Sequence, residues 1–184
     1  MLAPRVRLPR PRPRLPLPLA ALRALWALPT NVIGHAAGVL VSVGGHAGRR
    51  RVRGPAASAW LYRIRPGIGL DWVGAVTLGH VVLYRGGMFD GYAGRLVLAH
   101  ELAHTRQHDW LGPLYLPLHI LAQATSALLS LGRPPHHSRV HDRNPLEQTF
   151  IALGASAYEP LARGAPVHAA AGVDADAMLQ AFGV

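Results

Sequence analysis

Apolar and polar positions divide this chain into blocks of different period. From Ala24 to Val43 twenty consecutive residues carry no charge. That is about the length of a membrane-spanning helix, although Pro29, Asn31 and His35 interrupt the run, and a helix pair broken at Pro29 fits it equally. Residues 72–84 are rich in β-branched and aromatic side chains around Gly79-His80, which predicts a hairpin or a strand bent at the glycine. A helical pattern follows from about Tyr92 to Trp110, with Asp90 placed to cap it. Trp110 to Leu131 is again uncharged. Its Gly112-Pro113 pair predicts a second buried or lipid-facing helix just beyond. Asn144-Pro145-Leu146-Glu147 opens a last core helix reaching about Ala157 or Tyr158, and Asp174 or Asp176 starts a short one near the end.

The pattern groups the chain into four parts. Residues 1–18 form an extended, basic arm of arginine, proline and leucine, and residues 19–54 a hydrophobic membrane-associating segment ending in the basic Arg49-Arg50-Arg51-Val52-Arg53. Residues 55–160 form the main domain, and residues 161–184 an alanine-rich tail. The expected fold class is α+β, a mainly helical core with a small β-hairpin or sheet ahead of the central helix.

Charge sharpens this division. The net charge is +10, and every one of the 19 basic residues is arginine. Twelve arginines and no acid fall within residues 1–65, against seven arginines and all nine acids in the remainder. The basic third points to an anionic membrane surface. A nucleic-acid partner is the weaker expectation, since aromatic and basic residues interleave only over residues 60–65. A mean hydropathy of +0.18 agrees with membrane contact. Without cysteine, thiolate zinc sites, iron–sulfur clusters and disulfides are excluded.

The chemistry lies in His100-Glu101-Leu102-Ala103-His104. Residues four apart share a helical face about 6 Å apart along the axis, so two imidazoles can converge on one ion, with Glu101 beside it to accept a proton from water. His108 continues the spacing but lies about 12 Å along the axis from His100, too far to join the same ion. Gln107 and Trp110 stand where a metzincin would carry its turn glycine and third histidine. A third ligand must therefore come from a later element. Glu147 is the leading candidate, ahead of His136, His137, His141 and Glu159. Tyr115, His119, His141 and Tyr158 have the chemistry of an oxyanion donor.

His100 to Gln107, the Leu111-Gly112-Pro113-Leu114 segment and Asn144-Pro145-Leu146-Glu147 together resemble small bacterial zincin-like proteins, similar in arrangement to gluzincins, over about residues 72–155. Where those proteins often carry a small residue and another acid after the third-ligand glutamate, this chain has Gln148-Thr149-Phe150. The resemblance implies zinc held by His100, His104 and Glu147, Glu101 as general base, and a peptide or protein substrate. The expected function is a membrane-associated zinc metallopeptidase of a bacterial inner membrane. The alternatives are a zincin-fold scaffold that holds metal with little turnover, or a basic nucleic-acid binder.

Overall fold

The computed structural model describes residues 16–53, 58–70, 73–129, 131 and 144–148. It is α+β, with a four-stranded mixed sheet and helices. The elements are α1 (Leu17–Val41), β1 (Arg50–Arg53), β2 (Ser58–Arg63), β3 (Ala75–Leu78), β4 (Val81–Tyr84), α2 (Gly91–Leu111), a 3-10 turn (Gly112–Leu114), α3 (Tyr115–Leu128) and α4 (Pro145–Gln148). Strand order is β1-β2-β4-β3. The two inner strands β2 and β4 run parallel, and each edge strand pairs antiparallel with its inner neighbour.

The hairpin expected around Gly79-His80 is present as β3 and β4, with Thr77 opposite Val82 and Leu78 opposite Val81. Gly79 takes φ +67°, which suits the first central position of a tight two-residue turn. The sheet is larger than a hairpin, however. Of the basic run at Arg49–Arg53, Arg50–Arg53 form edge strand β1, in which only Val52 is buried. Arg49 and Arg51 lie over the Trp60 ring at 4.5 and 5.0 Å, so their charges rest on an aromatic face instead of solvent alone.

Successive strand residues point to opposite faces, and both faces of this sheet are covered. Tyr62, Ile64, Val81 and Leu83 form a buried cluster on one side. There α1 packs through its small residues Ala27, Thr30, Gly34 and Gly38. The approach is close: a Cβ on Gly38 would lie 2.7 Å from the Tyr62 ring, and one on Gly34 would run into the Leu78 carbonyl. On the other side Thr77, Val82 and Leu61 face α2, whose residues Val97 to Thr105 are buried throughout.

α1 is one continuous helix, not a pair broken at Pro29. Proline removes one backbone hydrogen bond, but sheet packing at Ala27 and Thr30 brackets it and holds the helix together. The helix also takes in Leu17 and Pro18, at its first turn, where proline is tolerated. Of the described helices, α1 alone is long and apolar enough to cross a membrane. The second uncharged stretch is not one span. It divides at Gly112 into the end of α2, the 3-10 turn and the 14-residue α3, which at about 1.5 Å per residue is shorter than the roughly 30 Å hydrocarbon core. α1 meets this junction directly: the Trp26 indole N–H donates to the Trp110 carbonyl at 3.3 Å, and a side chain at Gly112 would collide with that indole.

Candidate metal centre

α2 begins at Gly91 and carries His100, Glu101 and His104 into the interior, each at most 4 % exposed. Asp90 occupies the N-cap position without a side-chain capping bond. Asn144 starts α4 as an N-cap: its Oδ1 accepts from the Leu146 N–H at 2.9 Å. Its amide donates to Gln123 Oε1 on α3 at 2.9 Å. That pins the first turn of α4 beside α3 and turns Glu147, 3 % exposed, towards the two histidines.

His100, His104 and Glu147 are thus brought together as a buried three-donor group. His100 Nε2 and His104 Nε2 are 3.1 Å apart, and each lies 3.3 Å from Glu147 Oε2. Zinc bound at about 2.0–2.1 Å in a tetrahedron holds its ligands about 3.3–3.4 Å from one another. The three donors therefore match one face of such a tetrahedron and fit the metal. His119 Nε2 lies 3.5 Å from the other oxygen, Oε1, and outside the three-donor group.

The charges follow from burial and this contact. Burial alone would raise the Glu147 carboxyl, but hydrogen bonds from His100 and His104, and their charge, hold it well below the usual carboxylate range. Burial opposes a charged His104, yet Glu147 outweighs it and raises the imidazole above its ordinary value. At His100 burial prevails and the value is lowered. Glu147 thus favours the protonated form of His104, and the two histidines favour the ionised form of Glu147.

Around these groups lies a second set of contacts. His104 Nδ1 is 2.8 Å from Gln107 Oε1 and 2.9 Å from the Tyr115 hydroxyl. Gln107 also donates its amide N–H to the Leu146 carbonyl. Thr77 Oγ1 donates to Glu101 Oε2 at 2.7 Å, tying the prospective base to the edge strand. His108, on the same face of α2, serves the hairpin instead of the cluster. Its Nε2 accepts the Gly79 N–H at 3.1 Å, while Asn31 of α1 accepts the His80 N–H at 2.7 Å. The turn is held from both helices.

Of the prospective oxyanion donors, Tyr115 and His119 lie at the centre, their rings stacked 5.3 Å apart. Tyr115 is buried and its hydroxyl faces His104; burial and the charges of Glu147 and Glu101 keep the phenol protonated by raising its pKa. His136, His137, His141, Tyr158 and Glu159 lie outside the described residues, as do the arm up to residue 15, the continuation of the last helix and the alanine-rich tail. Sequence reasoning passed over Thr77, Gln107 and His108 as partners. Only Gln107 left a signal, one turn beyond His104.

No protein-family model, no curated protein and no solved structure matches the chain.

Proposed function

We propose that this protein is a zinc-dependent metallopeptidase of zincin type that works at a membrane surface. The observation that carries the reading is the triangle of His100, His104 and Glu147 donors with edges of 3.1, 3.3 and 3.3 Å. Those three residues would hold the zinc, which when bound supplies a Lewis acid that polarises a peptide carbonyl and acidifies water. Glu101 accepts the proton of the attacking water and passes it to the leaving amine. Thr77 fixes one carboxylate oxygen of Glu101 and leaves the other for that proton. The partial exposure of His119, 26 % at its side chain, supports it as the α3 group that meets substrate. The uncharged face of α1 and the arginines of the first third support the membrane surface as the place of action.

The experiment is metal analysis joined to turnover. Wild type should hold one zinc per chain and the His100→Ala/His104→Ala double variant none. Glu101→Gln should keep the zinc and lose peptide hydrolysis by about 100- to 10,000-fold. Wild-type protein without metal, or a Glu101→Gln variant as active as wild type, overturns the reading. The depth of the cluster, with all three ligands at most 4 % exposed, favours as a second reading a protein that holds zinc with little turnover. Zinc-loaded wild type that cleaves no peptide would select it.

A further inference from the structure

α1 has two unlike faces. Its small residues seal it to the sheet, while Leu22, Leu25, Leu28, Val32, Ile33 and Leu40, all at least half exposed, gather on the opposite arc together with no charged side chain. α3, which follows the 3-10 turn where Trp26 meets Gly112, is also exposed and apolar at Ile120, Leu121 and Leu128.

The sealed face argues against a crossing of the bilayer. Arg23 faces Asp109 at 3.9 Å, near the start of α1. In the middle, Asn31 accepts from the His80 N–H. At the end, the Leu40 carbonyl accepts from the Arg65 guanidinium at 2.7 Å, and the Val41 carbonyl from the Arg65 backbone. The helix is therefore tied along its length to charged and polar parts of the folded domain. Standing it across a bilayer would drag Asp109, His80 and Arg65 into hydrocarbon at different depths, which is costly for each.

A leaflet of anionic phospholipid is the occupant that the surface fits. Along the outer flank of α1 an open groove, lined by Leu28, Val32, Ala36, Val39 and Leu40 with Asn31 and His35 at its edge, has the apolar character of an acyl chain. The same Leu28, Asn31 and His35 border a second cavity of about 360 Å³ that reaches Arg23, Arg51 and Trp60, with Asp109 at its wall beside His80. An apolar groove and a basin carrying two arginines against one aspartate thus adjoin along one helix, in the order of chain and headgroup. Arg53, on the same face of the neighbouring edge strand as Arg51, adds positive charge.

Deepening the membrane part of the proposed function, on which it rests, we infer that α1 lies in the plane of an anionic leaflet, with its apolar outer face inserted and its small-residue face clamping the domain. The domain is held on the membrane without crossing it.

The chain has no cysteine, so single introduced thiols can be labelled cleanly. Leu22→Cys, Ile33→Cys and Leu40→Cys, each at an exposed position, would carry an environment-sensitive fluorophore. The full-length labelled protein is mixed with vesicles of phosphatidylcholine and phosphatidylglycerol bearing a nitroxide either near the headgroup or near the end of the acyl chain. The ends of this set are about 27 Å apart along the helix, so a spanning helix would place Ile33 near the bilayer centre and the others at opposite interfaces. In-plane seating predicts the same strong quenching of all three labels by the shallow nitroxide, weak quenching by the deep one, and binding at least about tenfold tighter than to pure phosphatidylcholine. Quenching of Ile33 chiefly by the deep nitroxide overturns the inference, as does the absence of quenching in any vesicle. Labels already shielded without lipid, in a particle of doubled mass, would assign the face to a second copy and also overturn it. Zinc content measured on the same samples reports separately on the metal centre.

Discussion

His104 donates through Nδ1 to Gln107 Oε1 at 2.8 Å, and the same Gln107 side chain donates to the carbonyl of Leu146, the residue before Glu147. One amide therefore sets the tautomer of His104 and the position of Glu147. With Nδ1 carrying the proton, the Nε2 lone pair of His104 is left for the metal. Gln107→Ala is expected to weaken zinc binding about 10- to 100-fold, measured by competition with a chromophoric chelator. Gln107→Glu keeps an acceptor for His104 and loses the donor to Leu146, so its affinity apportions the two contacts. Unchanged affinity in both variants would remove the clamp.

Zinc should also act as a structural fastener. Binding to the folded state alone adds about 2.7 kcal/mol when free zinc is a hundredfold above its dissociation constant. In a chain of 184 residues that corresponds to roughly 5–10 °C in melting temperature. Calorimetry with zinc and with a chelator should show this difference in wild type. The His100→Ala/His104→Ala protein should melt at one temperature under both conditions.

Thr77 gives an isosteric test of how Glu101 is aimed. Thr77→Val keeps the shape of the side chain and deletes the hydroxyl that reaches Glu101 Oε2 at 2.7 Å. Zinc content should be unchanged, kcat/KM should drop about tenfold, and stability should fall by about 1 kcal/mol from the lost hydrogen bond. A kcat/KM equal to wild type would mean that the edge strand does not orient the base.

His108 predicts a pH dependence separate from the metal. Burial, reinforced by the charge of His80, lowers its pKa to about 3. An unfolded histidine titrates near 6.5, so below that pH the unfolded chain takes up a proton that the folded one refuses, and stability falls as pH falls. For metal-free protein the loss from this residue between pH 7 and pH 5 is about 2 kcal/mol. Urea unfolding of wild type and His108→Gln at both pH values isolates it: the variant should lose less stability on acidification, by about that amount. Parallel losses would show that His108 does not stay neutral in the fold.

The parts legible in the sequence are those governed by local spacing. The one-turn separation of His100 and His104 needs only a helix, and the Gly79-His80 turn only a glycine between β-branched runs. β1 was hidden because its residues are Arg50, Arg51, Val52 and Arg53, and an edge strand with solvent on one side can carry charge where a central strand cannot. The continuity of α1 through Pro29 depends on a sheet distant in sequence, so local propensity alone leaves a single helix and a broken pair equally open. Gln107 and Leu146 are 39 residues apart, and no pattern in either segment announces their contact.

The contact of Trp26 with Trp110 and Gly112 joins two regions that have so far stood apart. Tyr115, whose hydroxyl braces His104, begins α3 three residues beyond Gly112. α1 and the helix whose Tyr115 braces His104 therefore share a joint with no room for a side chain. If α1 is seated on a leaflet as proposed, a change in its tilt would reach that joint through the Trp26 indole.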